Sequence, residues 1–279
     1  MSDSFSFEQI LYSKQPKRFV TLESEARQFS LIYGGGTIIR ENIFSVTMNY
    51  ARKKDLSLEI MRYPFHDNEL WAFTFLKGGS VFLCINSELS MCKQVFAVAH
   101  DLYHIYCFGE DTDQNIIRNG SLLKDREIDE AGNNQEELEA NAFAGLLMMP
   151  REDIQRQMDS MSIEIKHIEL DDILSMMDVF GLPYKACIFR LYECGFIRES
   201  KAKDLYNQDW NTVLSRIRLT GKAKRWQMNG IGTEQFGTLL ENYYFNEEHG
   251  FLTESRKISD RAFISSLSQK YGLDVEARQ

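Results

Sequence analysis

No stretch of this 279-residue chain approaches the run of about 20 apolar residues that crosses a bilayer, so a membrane-spanning protein is not expected. The first residues, Met1-Ser2-Asp3-Ser4-Phe5-Ser6-Phe7-Glu8, have neither a basic n-region nor an apolar core, which reads as a chain without a secretory signal. Neither end carries a lipid-attachment motif. Positive charge is scarce: 32 Lys and Arg stand against 41 Asp and Glu, a net charge of −9 with a pI near 5.2. Nucleic-acid binding, which rests on neutralising phosphates, is therefore not favoured. The five cysteines, Cys84, Cys92, Cys107, Cys187 and Cys194, are odd in number and hold no C-x-x-C pair, so reduced thiols in a cytoplasmic protein are the simplest expectation. What remains is 43% hydrophobic and 26% charged, over a length that suits one large or two smaller domains of an ordinary globular protein.

One stretch organises the rest. Val95-Phe96-Ala97-Val98-Ala99-His100-Asp101-Leu102-Tyr103-His104-Ile105-Tyr106 is a mostly apolar helical pattern with two histidines four residues apart. On a helix such a pair shares one face, side chains about 5–6 Å apart, and one zinc ion can take both imidazoles. The spacing is that of His-Glu-x-x-His, whose Glu is the general base of zinc peptidases, but Asp101 stands in the Glu position. Downstream, Glu136-Glu137-Leu138-Glu139-Ala140-Asn141-Ala142-Phe143-Ala144-Gly145-Leu146-Leu147-Met148-Met149-Pro150 is a second helical pattern, stopped by its proline. Two facing helices could bring His100, His104 and Glu137 to one ion with a fourth position open, and Asn141 could hold a ligating histidine by a hydrogen bond. Alone, the histidine pair serves equally well as core or cap residues. Cys107, three residues past His104, is read first as a small buried hydrophobe and second as a metal neighbour.

Together the two stretches resemble the ImmA/IrrE family of metallopeptidases, which shows F-T-x-A-H-E-x-x-H followed by E-x-E-A-N/D-x-F-A-x-x-L-L-M-P. The likeness covers roughly residues 40 to 200. The resemblance implies an α+β, zincin-like metallopeptidase domain over 41–200, with a small antiparallel sheet and a helical bundle. An extension over 1–40 would precede it, and a mainly helical C-terminal region over 201–279 would follow. It further implies Zn2+ held by His100, His104 and Glu137, with Asp101 in the place of the catalytic Glu. The implied substrate is a protein, a transcriptional repressor of the kind often encoded on mobile elements or used in stress responses.

Elsewhere the pattern predicts a strand over 19–22, a short helix over 23–33, and a turn or hinge at Gly34-Gly35-Gly36, where no Lys-Ser/Thr follows to make a phosphate loop. Helical spacing runs from Glu41 to Lys54 and a strand from Leu56 to Phe65, with turn chemistry at His66-Asp67-Asn68. Residues 71–76 and 80–86 flank Lys77-Gly78-Gly79, a strong hairpin signal. One of its strands is expected either as an edge that pairs with an extended substrate or as a packed sheet strand. Ser90 is the N-cap candidate for a helix over 91–107, and polar stretches at 109–113 and 124–134 read as a long solvated loop. Helices over 170–180 and 184–194, joined by Gly181-Leu182-Pro183, read first as closing helices of the peptidase domain and second as a DNA-reading pair. Residues 198–226 hold eight Lys and Arg against three Asp and Glu, which makes either a solvated helical face or a contact for nucleic acid or an acidic partner.

The chemistry turns on one methylene. Asp101 has the charge that a base needs but reaches about 1.5 Å less than a Glu, one C–C bond, and a misplacement of about 1 Å can cost on the order of 100-fold in rate. Neither neighbour replaces it: Glu139 is expected to face elsewhere and Glu136 to be rotated by about 100°. Two readings follow. One is a zinc endopeptidase with Asp101 as base; the other is a catalytically impaired, metal-binding regulator that acts through protein or nucleic-acid contacts.

Overall fold

The computed structural model describes residues 7–35, 38–110, 120–124, 134–228, 230 and 232–271. The chain divides into two compact units, residues 1–235 and 236–279. The first begins with a 3-10 turn at Phe7–Gln9 and continues through α1 (Leu11–Lys14), α2 (Pro16–Tyr33), α3 (Ile43–Lys53), β1 (Leu58–Tyr63), β2 (Leu70–Lys77), β3 (Ser80–Asn86), α4 (Met91–Gly109), β4 (Ser121–Lys124) and α5 (Gln135–Met148). After these come α6 (Arg151–Ser160), α7 (Leu170–Phe180), α8 (Tyr184–Glu193), α9 (Glu199–Tyr206), α10 (Trp210–Thr220) and α11 (Lys224–Gln227).

The strand expected over 19–22 is absent, because α2 runs unbroken from Pro16 to Tyr33. Pro16 presets the backbone of the first turn. Phe19, Leu22, Ala26 and Phe29 are buried at three- and four-residue intervals, one helical stripe that packs against α5. That tertiary contact overrides the local β-preference of Phe-Val-Thr-Leu.

The sheet has the order β1-β3-β2-β4 and is mixed rather than purely antiparallel. β2 and β3 form the expected hairpin, closed at Lys77↔Ser80, while β1 runs parallel to β3 from Leu58↔Val81 to Tyr63↔Asn86. The six residues 64–69 between β1 and β2 cross a gap of two strand spacings, about 10 Å, into which β3 inserts. Neither strand of the hairpin is the outermost strand of the sheet among the described residues. β3 lies between β1 and β2, and β2 carries β4 along Leu70–Thr74. β4 interrupts the loop expected between α4 and α5; stretches 111–119 and 125–133 of that loop lie outside the described residues.

The sheet and α3 pack on α4, and α4 and α2 both pack on α5. At the α5 end, Met149-Pro150 breaks the helix and Arg190 of α8 seals the break. The Arg190 Nε donates to the Met149 carbonyl at 3.1 Å, and its guanidinium pairs with Glu193 at 2.5 Å. Gly145 makes room for this arginine: a Cβ there would lie 2.8 Å from Arg190 Cδ. The α7–α8 pair turns at Gly181 in the left-handed region (φ 70), where the Trp226 ring of α11 would meet any Cβ at 2.8 Å. α8 buries Tyr184, Ala186, Cys187, Ile188, Arg190 and Leu191, the packing of a core helix. The second unit holds α12 (Leu239–Glu248) and α13 (Glu254–Tyr271), tied by Arg261 Nε to the Tyr243 hydroxyl at 2.9 Å. No helix among the described residues is long and apolar enough to cross a membrane.

Candidate metal centre

Every residue of α4 from Gln94 to Ile105 is buried, as a helix apolar on all sides must be when it runs through a core. Four of those residues, Gln94, His100, Asp101 and His104, are polar groups that pay for burial only through partners. The partners of the two histidines come from α5. Its N-cap Asn134 accepts the Glu136 N–H at 3.1 Å, so the helix starts in time to place Glu137 on its first turn.

His100, His104 and Glu137 each offer one ligand atom, and these atoms lie within 4.8 Å of one another. His100 Nε2 is 3.0 Å from Glu137 Oε2, His104 Nε2 is 3.5 Å from Oε1, and the two Nε2 atoms are 3.3 Å apart. Asn141, one turn beyond Glu137, accepts a hydrogen bond from His100 Nδ1 at 2.9 Å. With the hydrogen on Nδ1, His100 Nε2 presents a lone pair to the centre. Lone pairs of two imidazoles and a carboxylate facing one another at this range repel unless a proton or a cation lies among them. The group can hold a metal ion, and the donor set fits one. The side chains of His100 and His104 are 1% and 2% exposed, whereas Glu137 is 14% exposed, so what access there is comes from the Glu137 side.

Electrostatics tell the same story. Burial opposes ionisation of Glu137, but hydrogen bonds and charge from His100 and His104 outweigh it, and the carboxyl lies well below the usual range. Burial likewise opposes protonation of His100, and Glu137, Asp101 and Asn141 outweigh it, raising the imidazole above its ordinary value. The centre is built to stabilise positive charge. Asp101 is fully buried beside His100, and its negative charge also reaches Cys84 on β3. Burial first, and Asp101 second, push the Cys84 thiol up to about 12, which leaves it inert.

Other candidates fall away from the centre. Glu139 faces away from the ligands and is engaged by Arg18, Gln135 and Tyr103. Cys107 is half-buried and is not among the converging ligand atoms. His66 is an exposed turn residue bonded to Glu88 at 2.7 Å, and His167 is exposed in a 3-10 turn. A cavity of about 510 Å³ beside the start of α4 is lined by Trp71, Phe96, Tyr184 and Trp210, and none of the three ligands borders it. Concavity points there, but the ligand chemistry points to α4 and α5, and the chemistry decides.

Residues 53–192 match the IrrE N-terminal-like domain, a peptidase family. This chain belongs to that family. The family's domain spans α4 and α5 and so includes His100, Asp101, His104, Glu137 and Asn141. No curated protein and no solved structure matches the chain. The His-His-Glu group that could hold a metal ion thus lies within the matched stretch. Sequence reasoning missed two residues beside it. Tyr103 stacks edge-on to His104 at 6.0 Å, and Arg18, from outside the matched stretch, bonds Tyr103 and Glu139. Tyr103 could have been suspected from its place between the two histidines; nothing local marks Arg18.

Proposed function

We propose that this chain is a zinc-dependent endopeptidase that cleaves a protein, a repressor-type transcriptional regulator. The observation that carries the reading is the meeting of His100, His104 and Glu137 inside a stretch that matches a peptidase family. Zinc is favoured by the donor set, two imidazole nitrogens and a carboxylate oxygen with a further position open. When bound, zinc supplies an activated water and a positive charge for the oxyanion of the scissile carbonyl.

The chain's own residues do the rest. Asn141 holds the His100 ring so that Nε2 faces the centre. The depressed Glu137 carboxyl stays ionised at any working pH and balances the ion's charge. Asp101 takes the proton from the water, at a reach about 1.5 Å shorter than the Glu of the usual motif. A reducing, cytoplasmic setting is part of this reading.

A second reading, a metal-binding regulator with impaired catalysis, is favoured by one feature: Asp101 is short and fully buried. Nucleic-acid contact by the basic segment has less support, because Arg216 is held by Asp171 and Arg225 by Glu41. The test is elemental analysis of wild type and His104→Ala beside a cleavage assay on a repressor encoded next to this chain. One zinc per wild-type chain, its loss in the variant, and cleavage only by the zinc-loaded wild type are expected. Stoichiometric zinc without cleavage of any candidate would favour the second reading.

A further inference from the structure

The three ligands come from two helices, so their meeting depends on how far apart, and at what height, α4 and α5 stand. At the same level a second set of side chains joins those helices. Tyr103, next to His104, donates its hydroxyl to Glu139 Oε2 at 2.5 Å, and Glu139 stands two residues past Glu137. A third helix reaches into this pair. Arg18, in the first turn of α2, donates Nε and a terminal nitrogen to Glu139 Oε2 at 2.8 and 2.6 Å. The same terminal nitrogen lies 3.1 Å from the Tyr103 hydroxyl, and the other donates to Glu25 at 2.8 Å. Gln135 occupies the second oxygen of Glu139 at 2.6 Å. The Arg18 and Glu139 side chains are only 29% and 13% exposed, so these charge-assisted bonds are screened less than those of surface pairs.

We infer that Arg18 is a positioning residue of the metal centre: by pinning Glu139 of α5 to Tyr103 of α4, it sets the separation at which His100, His104 and Glu137 meet the ion. The inference rests on the metal-binding reading above. Metal–ligand distances tolerate errors of about 0.2 Å, well below the shifts of about 1–2 Å that packed helices make in switching transitions. α2 lies outside residues 53–192, so the helix that carries Arg18 stands outside the stretch that matches the family. Linkage adds a consequence: if seating α2 tightens the metal, the metal must tighten the seating of α2 by the same factor.

The same helix offers a control. Arg27 pairs with Glu152 of α6 at 3.6 Å, both side chains well exposed at 71% and 63%, away from the centre. Full-length wild type, Arg18→Met, Arg18→Lys and Arg27→Met are titrated with Zn2+ against a chelator, and with Co2+ followed by its visible spectrum. Arg18→Met is expected to bind Zn2+ roughly 10- to 100-fold more weakly, with an altered Co2+ spectrum. Arg18→Lys recovers part of the loss, since an ammonium can pair with Glu139 but cannot also bridge Tyr103 and Glu25. Arg27→Met matches wild type. In wild type, Zn2+ slows hydrogen exchange at the α2 amides, a readout that holds even where Arg18→Met folds poorly. Equal Zn2+ affinity and spectrum in wild type and Arg18→Met, or α2 exchange indifferent to Zn2+, overturns the inference while leaving the metal centre standing. A wild type that binds no Zn2+ or Co2+ removes both.

Discussion

The metal centre and the basic segment 198–226 are both rich in ionisable groups, and the structure treats them in opposite ways. At α4 and α5, two imidazoles and a carboxylate converge in the protein interior. Along 198–226 the charges disperse: Lys201 pairs with Glu169 at 2.8 Å, Lys203 with Glu199 at 2.6 Å, Arg216 with Asp171 at 2.5 Å, and Arg225 with Glu41. Dispersed surface pairs form readily and contribute little. Converged, buried donors are unfavourable until something charged joins them. The first pattern marks a site; the second marks helices docking their solvated faces.

The largest effect that would sharpen this contrast comes from Asp101. Restoring the longer carboxylate with Asp101→Glu should raise peptide turnover on the order of 100-fold, because the base regains its reach. Asp101→Asn should abolish turnover and leave the metal in place. Steady-state rates with metal content measured in parallel check this, and equal rates for Asp and Glu would remove Asp101 from the mechanism. Next is Asn141→Ala, expected to weaken metal binding roughly 10- to 100-fold by freeing the His100 ring; chelator competition measures it, and an unchanged affinity would show that the ring is held by packing alone.

A smaller effect concerns pH. Without metal, Glu137's contribution to stability is present above its unfolded value near 4.5 and is lost as pH falls through its lowered native value. The contribution of His100 is fully present below about 6.5 and is lost as pH rises through its raised native value. These two groups therefore make the metal-free protein most stable in mild acid, with a melting temperature that falls on the alkaline side. Metal needs the unprotonated ring, so its affinity should climb roughly tenfold per pH unit until His100 has titrated. Melting curves with and without zinc across pH should thus slope in opposite senses, and parallel slopes would separate His100 from metal binding. The smallest effect is Arg216→Ala, which should leave melting temperature, metal content and cleavage unchanged, since its partner Asp171 is at the surface. A loss of cleavage there would turn the dispersed segment into part of the working site.

Much of the centre was legible because helical periodicity is local. The i,i+4 spacing of His100 and His104, the offset of Glu137 from Asn141, and the stop at Pro150 each fix a face or an end without reference to the rest of the chain. The hairpin was equally legible from its Gly-Gly turn. Residues 19–22 were misread because a short aromatic and β-branched run looks alike in strand and helix until its burial partner is known. The second neighbour of each hairpin strand was also hidden: that β1 lies parallel to β3, and that β4 covers β2, depends on residues far away in sequence.

The amino-acid sequence by itself determined which atoms could bind a metal, which helix faces carry them, and that the expected Glu is an Asp. Only the tertiary structure decided that those faces meet, that Glu139 is engaged by Tyr103, Gln135 and Arg18, and that Arg18 reaches across 121 residues to join the two helices. The reason is physical. The helical repeat is set by bonds within a few residues, whereas the distance between two helices is set by everything packed around them.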